Sequence, residues 1–266
     1  MSYIKIIKEI ISNFLILKKG EIIINEEIEN LKTELYKIQC RNWIPSKGNG
    51  TGAAGTTLET LLKKATDRYV LPDYHGIEIK TKTETSHYPI GLFSCAFDNR
   101  PLEMKRLLNT CGWPDKRDPK YKVFYLTANG LSYSFTRRHS FLLSANYEKQ
   151  RLDFIIKNRW TGEDVTSMSW TYSELESRLT HKLSYLVIVT VKKDKVDGTT
   201  YFKYCNPIFY KLKCFRDFIE LIEEGIITVS FNIAYYRTPE RYGDYKDMGT
   251  TFEIGKENID RLFVKI

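Results

Sequence analysis

The sequence predicts an α/β fold with one main core and an elaborated second lobe. Residues 77–82 alternate apolar and charged side chains, residues 183–191 form a nearly continuous apolar and β-branched run, and apolar stripes at helical spacing precede both. At 266 residues with 42% hydrophobic content, the chain is long enough to bury a sizeable core, either as one large domain or as two small ones.

The N-terminal part is expected to be helical. Apolar residues at positions 4, 7, 11, 14 and 15 share one face of an amphipathic helix, and interrupting charges argue against a signal peptide or a membrane span. A turn at Lys19-Gly20 is expected before a second helix that begins near Asn25. A loop dense in glycine, residues 45–55, then leads into a third helix.

The middle of the chain is expected to mix helix and strand. Pro101 starts a helix that Gly112 ends, and Asn129-Gly130 predicts the tight turn of a hairpin between residues 122–126 and 131–135. More strand is expected in residues 141–156 and an irregular connection in residues 160–170.

A capping box at residues 171–174 predicts the helix that precedes the buried strand. A turn at Asp197-Gly198, a strand and a helix over residues 215–224 follow. The chain is expected to end in two strands around a loop at residues 237–249.

Charge and cysteine usage narrow the class of protein. Lys and Arg number 41 against 33 Asp and Glu, and the formal charge of +8 suits a polyanionic partner, although a basic soluble protein fits it equally well. The five cysteines are scattered without a CxxC pair, so neither a zinc site nor a disulfide framework is indicated, and we expect reduced thiols in the cytoplasm.

The alternating strand carries the chemistry. Glu78, Lys80 and Lys82 share one of its faces, and Gly76 permits a bend that brings Asp73 beside it. Mg²⁺ keeps several waters and needs only one or two carboxylates besides a phosphate, and a nearby lysine can orient or deprotonate a nucleophile. The pattern is therefore that of a site able to hydrolyse a phosphodiester.

A solvated strand face and a dinucleotide-binding loop are alternatives to the phosphodiesterase site. The pattern Asp-x4-Glu-x-Lys is weak by itself, since such residues are common on a solvated strand face. Glycines 50, 52 and 55 form a GxGxxG, but a dinucleotide site requires a buried strand before it, and residues 41–47 do not form one. Pro72, the clean alternation, Glu59 in the upstream helix and the positive charge together favour catalysis.

Four blocks in the same order resemble a known family. They are residues 50–59, Pro72-Asp73 with residues 76–82, residues 170–191 with His181-Lys182-Leu183, and residues 229–232 with 246–252. The sequence is similar to the MvaI/BcnI restriction endonucleases and to their relative, the mismatch-repair nickase MutH, within the PD-(D/E)XK nuclease superfamily. This resemblance covers most of the chain from about Gly48 onward.

The resemblance implies an α+β nuclease core of MutH type, with a central mixed sheet flanked by helices and a DNA-recognition lobe. Residues 1–100 would hold the N-terminal helices and the metal site, residues 101–200 a sheet extension with the accessory lysine strand, and residues 201–266 the recognition part. The lobes would flank one DNA cleft without folding independently.

The resemblance also implies roles for individual residues. Mg²⁺, for which Mn²⁺ substitutes, would be held by Asp73, Glu78 and the Ile79 carbonyl, with Lys80 near the nucleophile. Supporting roles beside the site, orienting a water or contacting the scissile phosphate or a base, would fall to Glu59 and Lys182. Apart from the resemblance, charge and hydrogen-bonding chemistry suggest DNA contacts by Lys82, His87, Arg137, Arg138, Arg237, Arg241, Tyr242, Lys246 and Asp247. A solvated basic turn explains Arg137 and Arg138 slightly better, and an exposed polar loop explains Arg237, Arg241, Lys246 and Asp247 about equally well.

The implied function is that of a type II restriction endonuclease, a monomer that hydrolyses double-stranded DNA to 5′-phosphate and 3′-hydroxyl ends. A cognate DNA methyltransferase would act on the same site, and the enzyme would work in the bacterial cytoplasm without a membrane. Met248 stands where the group has histidine, so the family's recognition sequences do not transfer. A MutH-like repair nickase and a catalytically inactive sequence-specific DNA-binding protein remain alternatives.

Overall fold

A computed structural model describes residues 3–62, 72–99 and 102–266, and side chains from residue 22 onward. The helices within these residues are α1 (Tyr3–Cys40), α2 (Ala53–Leu61), α3 (Leu102–Cys111), α4 (Tyr172–Leu183), α5 (Phe215–Glu223) and α6 (Ile259–Leu262). The strands are β1 (Ile44–Pro45), β2 (Ile77–Thr83), β3 (Ile90–Ser94), β4 (Trp113–Pro114), β5 (Lys122–Ala128), β6 (Ser134–Phe135), β7 (His139–Asn146), β8 (Arg151–Asn158), β9 (Asp164–Thr171), β10 (Tyr185–Val196), β11 (Thr199–Leu212), β12 (Ile227–Tyr235), β13 (Tyr245–Ile254) and β14 (Phe263–Lys265).

The chain divides into two compact units. The first unit comprises Met1–Ser86, Ser184–Tyr210 and Ile266, and the second comprises His87–Leu183 and Lys211–Lys265. Within the described residues, no helix is both long enough and apolar enough to cross a membrane.

The first unit is built on a mixed sheet in the order β1, β11, β10, β2. β10 runs parallel to β2, with Tyr185 opposite Ile77 and Val191 opposite Thr83, whereas β1 is antiparallel to β11. The apolar run of β10 is buried, as expected for a strand that is covered on both faces. Apolar residues of α1 and α2 pack with those of β2, β10 and β11 in one core.

α1 is continuous from Tyr3 to Cys40, so the predicted turn at Lys19-Gly20 and the second helix start near Asn25 are wrong. A glycine inside a helix costs only about 1 kcal/mol relative to alanine, and this segment contains no proline. The side chains of α1 that are buried against the sheet are Ile28, Leu31, Leu35 and Ile38. The apolar face predicted for positions 4–15 lies outside the described side chains. The helix start predicted at Pro101 lies outside the described residues.

The second unit contains two sheets, in the orders β3, β13, β12, β5, β4 and β6, β7, β8, β9. Aromatic side chains join them: Phe231 of β12 stacks on Phe154 of β8 with ring centroids 4.7 Å apart, and Phe97 lies 4.3 Å from Trp170. The Trp170 Nε1–H donates to the Cys95 carbonyl at 3.1 Å. The burial of these rings gives the unit its own hydrophobic core.

The predicted hairpin around Asn129-Gly130 is wrong. β5 pairs with β12 and β4, whereas β6 pairs with β7. The Asn129 Oδ1 accepts the main-chain N–H groups of Leu131 and Ser132, both at 2.9 Å, and the Gly130 N–H donates to Ile222. An asparagine side chain that closes a local turn in this way replaces the hairpin hydrogen bonds.

Two other boundaries differ from the prediction. The connection predicted as irregular at residues 160–170 contains most of β9, whose buried Met168 and Trp170 show the period of two that a strand requires. β13 begins at Tyr245, so the second half of the predicted loop at residues 237–249 is strand. Positive φ angles at Asp197 and Gly198 confirm the predicted turn there. A positive φ angle at Gly225 likewise confirms the predicted helix end.

Candidate active site

A two-residue turn places Asp73 against β2. His75 and Gly76 have φ angles of 41° and 91°, and the residues that flank them exchange two main-chain hydrogen bonds of 2.9 and 2.7 Å. Positive φ at both central residues is the geometry of a type I′ turn, in which glycine is favoured. The chain folds back, and the Asp73 Oδ2 accepts the Ile79 N–H at 3.0 Å.

The Asp73 carboxylate lies at the edge of β2 that faces away from β10. Ile77 directs both its N–H and its C=O to Tyr74 at this edge, and Ile79 directs its N–H to Asp73. Because the N–H and C=O of one residue in a strand point to the same side, the Ile79 carbonyl is directed to this edge as well. One carboxylate and one carbonyl oxygen therefore share the edge of a single strand.

Glu78 and Lys80 form a close ion pair on one face of β2. The Lys80 Nζ lies 2.7 Å from the Glu78 Oε1, and the two side chains are 27% and 2% exposed. A solvated strand face would leave the carboxylate in water, so the plainer explanation does not fit Glu78. Burial of a charge is costly unless it is paired, and the lysine supplies that pairing.

The donor atoms at this strand suit a hard divalent cation. Asp73, Glu78 and the Ile79 carbonyl supply only oxygen, which Mg²⁺ and similar ions prefer. In the described part of the chain, no cluster of three or more His, Cys, Asp and Glu side chains is placed to hold a metal ion. The site therefore fits an ion that takes two carboxylates and keeps its waters, and it does not fit a structural zinc.

α2 brings Glu59 to the same strand. The Glu59 Oε1 and the Thr81 Oγ1 lie 3.9 and 3.6 Å from the point where a side chain on Gly55 would begin. Glu59 is half-buried, and it approaches β2 on the face of Thr81, which alternates with the face that carries Glu78 and Lys80. The predicted supporting carboxylate is thus placed at the contact between α2 and β2.

Two buried hydroxyl groups that the sequence did not reveal hold the glycine-rich loop. The Thr57 Oγ1 accepts the Lys47 N–H at 2.9 Å and donates to the Ala53 carbonyl at 2.7 Å. The Tyr204 hydroxyl donates to the Ala54 carbonyl at 2.8 Å, and burial raises the pKa of Tyr204 well above its usual range. A threonine at an apolar helical position was the one available signal, and nothing in the sequence marks Tyr204.

The remaining predicted contact residues lie in several places. Lys82 is half-buried on the β2 face that carries Lys80, and Lys182 is half-buried in the last turn of α4, three residues before β10. His87 is exposed, as are Arg137 and Arg138 in the turn between β6 and β7.

Arg237 anchors the loop that follows β12. Its Nη2 lies 2.6 Å from the Asp115 Oδ2, and the Asp115 carboxylate is 7% exposed. The Arg117 N–H, the Asp118 N–H and the Arg237 guanidinium hold the pKa of Asp115 below its usual range. The sequence did not single out Asp115, although a Pro-Asp pair in a polar run is a turn signal.

Arg241 and Lys246 share one aromatic support. The Arg241 guanidinium lies 3.7 Å and the Lys246 Nζ 5.1 Å from the centroid of the Tyr236 ring. The Tyr242 hydroxyl donates to the Asp118 Oδ2 at 2.9 Å, and the Asp247 Oδ1 accepts the Gly249 N–H at 2.9 Å. Arg241 is 54% exposed, so it is a basic group presented on an ordered loop.

We expect Gly243→Ala to destabilise this loop more than Gly198→Ala destabilises its hairpin. Both glycines have positive φ, at 89° and 81°, but an added Cβ would strike the Tyr121 ring at Gly243 and meet nothing within 4 Å at Gly198. The left-handed φ costs about 1–2 kcal/mol for alanine and overpacking about 1–3 kcal/mol more. Urea unfolding of the two variants measures the difference in the free energy of unfolding. Equal losses of stability would show that the Tyr121 ring moves aside without an energetic penalty.

Most of the chain is similar to known restriction endonucleases. The model of the MvaI/BcnI restriction endonuclease family matches residues 32–263. No curated protein matches. A solved structure described as a restriction endonuclease MvaI–cognate DNA substrate complex matches with a TM-score of 0.83 and 23% identity, over 91% of this chain and 98% of that chain. MvaI in the absence of DNA matches with a TM-score of 0.58 and 23% identity, over 91% and 97% of the two chains. At this identity the structures establish the shared fold, of PD-(D/E)XK type.

Proposed function

Because the chain belongs to the MvaI/BcnI restriction endonuclease family, we propose that the site formed by Asp73, Glu78 and Lys80 is the one that cuts DNA. The chain is a type II restriction endonuclease, and hence a site-specific deoxyribonuclease. One observation supports the site above all: a carboxylate fixed to the edge of β2 stands beside a buried carboxylate–lysine pair on the same strand.

Restriction endonucleases of this kind generally use divalent metal ions. We propose Mg²⁺, with Mn²⁺ as a substitute, held by Asp73, Glu78 and the Ile79 carbonyl. Such an ion, when bound, neutralises phosphate charge, acidifies an attacking water and stabilises the leaving oxygen.

The side chains of the proposed site have separate roles. Asp73 is held by the Ile79 N–H, so its carboxylate presents a fixed oxygen to the edge. Lys80 is held by Glu78, and its ammonium orients the attacking water; after losing its own proton, the neutral amine would instead take a proton from that water. Glu59 positions that water or Lys80. Lys182 contacts the scissile phosphate or a base.

We propose that double-stranded DNA is read through the loop after β12. Arg241 and Lys246, supported on one ring, are placed to donate to guanine, and Asp247 to accept from cytosine N4. Arg237 and Tyr242 are committed to Asp115 and Asp118, so their first role is to hold the loop in shape.

Contacts to the phosphate backbone, which position the duplex without reading it, are proposed for Lys82, His87, Arg137 and Arg138. The solved MvaI complex with its cognate DNA gives the partner class by analogy. We further propose a monomer in the bacterial cytoplasm, a methyltransferase that protects the same sequence, and the organisation into residues 1–100, 101–200 and 201–266.

Incubation of the purified protein with plasmid DNA and Mg²⁺ tests the function. Discrete fragments with 5′-phosphate ends are the expected result, and the fragment ends give the recognition sequence. Slow nicking of one strand would favour the repair nickase instead, and retention of DNA without cutting would favour a DNA-binding protein that has lost catalysis. The family match over residues 32–263 favours the first outcome.

A further inference from the structure

The sheet β6–β9 ends in two neighbouring turns that form a basic and aromatic tip. We use the term sheet tip for Phe135, Arg137, Arg138, Arg159 and Trp160. Residues 136–138 connect β6 to β7, and residues 159–163 connect β8 to β9. β7 and β8 are paired, with His139 opposite Asn158, so the two turns stand side by side.

Main-chain and side-chain hydrogen bonds fix both turns. The Arg159 N–H donates to the Arg138 carbonyl at 2.9 Å, and the Arg159 Nη1 donates to the Thr136 carbonyl at 3.2 Å. The Asn158 Oδ1 accepts the N–H groups of Trp160 and Thr161 at 2.9 and 3.2 Å. The tip is therefore ordered before it meets a partner, which lowers the entropy lost on binding.

Two large aromatic side chains point outward from this ordered tip. Trp160 is 76% exposed and Phe135 58% exposed. The Arg159 guanidinium lies 5.2 Å from the Phe135 ring and 5.6 Å from the Trp160 ring, and such cation–π contacts hold all three together. Neither ring is buried in the core of the unit, so both are accessible to a partner.

The charge of the surroundings selects the kind of partner. The tip and its surroundings carry four cations, of which Arg137, Arg138 and Arg159 are exposed and Lys157 is partly exposed. The nearby anions are the two carboxylates of Glu163 and Asp164. Burial and the neighbouring Arg138 lower the pKa of His139, so this ring adds little positive charge near neutral pH. Excess cations would make two tips repel each other, so a second copy of this chain fits poorly, and a polyanion fits well.

From these observations we propose that the sheet tip is a second, sequence-independent DNA contact, in addition to the loop that reads bases. Arg137 and Arg138 bind phosphates of the duplex, and Trp160 packs on a sugar or base at the groove surface beside them. Arginine and an exposed aromatic side chain are the pair that backbone-tracking and groove-wedging proteins use. The inference rests on the proposed DNA-cutting function and adds a residue, Trp160, that no motif indicated.

Duplex binding without divalent metal tests the proposal. Anisotropy of a fluorescein-labelled mixed-sequence duplex is measured over a series of salt concentrations for Arg137→Ala/Arg138→Ala, Trp160→Ala, Trp160→Phe and Lys149→Ala. Lys149 is an exposed cation in the turn at the opposite end of the same sheet and serves as the control for each lost charge. Thermal melting confirms that each variant is folded.

The double arginine variant is expected to reduce the slope of log Kd against log salt by about 2, since each phosphate contact contributes about 0.9. Trp160→Ala is expected to raise Kd about 3- to 10-fold without changing that slope, and Trp160→Phe to restore most of the affinity. Lys149→Ala leaves both quantities as in the unaltered chain. The plasmid cutting pattern stays the same in every variant that still cuts.

Three results would overturn the proposal. If the tip variants bind duplex DNA as Lys149→Ala does, the tip does not contact DNA. Normal cutting by the unaltered chain would then leave the proposed function intact. A changed cutting pattern would make the tip a base reader. A dimer of the unaltered chain that Trp160→Ala dissociates in sedimentation would assign the aromatic surface to a second copy. Failure of the unaltered chain to bind any duplex would instead contradict the proposed function itself.

Discussion

The Asp73→Ala variant is expected to lose DNA cleavage by a factor of about 10³ or more, or roughly 4 kcal/mol of barrier lowering, while it still binds duplex DNA. The lost carboxylate is the one fixed at the edge of β2 by the Ile79 N–H. The turn at His75 and Gly76 keeps its own main-chain hydrogen bonds, so the loss is one of chemistry and not of folding. Binding is kept or strengthened because a negative charge beside the phosphate is removed.

Cleavage is measured on plasmid DNA with Mg²⁺, and binding by anisotropy without metal. Asp194→Ala is the matched control, since this exposed aspartate lies near the end of β10 and contacts only its neighbour's N–H among its described hydrogen bonds. Asp73→Asn should lose cleavage as fully as Asp73→Ala, because an amide keeps the shape and removes the charge. Cleavage by Asp73→Ala at the rate of the unaltered chain would show that the active site lies elsewhere.

The Lys80→Ala variant is expected to lose cleavage by a factor of about 10²–10³ and also to unfold more easily. Its Nζ is 2.7 Å from a Glu78 carboxylate that is 2% exposed. Removal of one partner of a buried pair costs about 3–5 kcal/mol, because the remaining charge loses its compensation. A divalent metal that binds Glu78 replaces that compensation, so metal should raise the melting temperature of Lys80→Ala more than that of the unaltered chain.

Thermal melting with and without Mg²⁺ separates this explanation from a simple loss of packing. Lys192→Ala is the control, because its pair with Glu84 is 3.6 Å long and both side chains are about half exposed. Exposed pairs of this kind contribute only about 0–1 kcal/mol, so this variant should melt and cut nearly as the unaltered chain does. If metal stabilised Lys80→Ala no more than Lys192→Ala, Glu78 would not be a metal ligand.

Local chemistry made the turn and strand of residues 73–82 predictable from the sequence. The alternation of residues 77–82 sets which side chains share a face, and Gly76 marks the place where the chain reverses. The burial of Glu78 was not predictable, because it depends on what covers the strand and not on the strand itself. The same holds for Tyr204, which lies 150 positions after Ala54, the residue whose carbonyl accepts its hydroxyl.

Long-range pairing also explains where the fold prediction failed. Asn129-Gly130 has the composition of a hairpin turn, but β5 finds its partner in β12, about 100 residues later. The loop at residues 237–249 was predicted as one segment because its polar composition hides that β13 starts at Tyr245. The pair of Arg237 with Asp115 joins residues 122 positions apart and was invisible to any local pattern.

The turn at His75 and Gly76 makes the candidate active site a local feature of the chain. Asp73, Glu78, Ile79 and Lys80 come from eight consecutive residues, so their connection is set by one short stretch of chain, whereas the burial of Glu78 depends on what covers β2. Contacts of such low sequence separation close short loops, which favours fast folding. We therefore expect substitutions in the loop at residues 237–247 to change the preferred target sequence while the local geometry of residues 73–80 stays as it is.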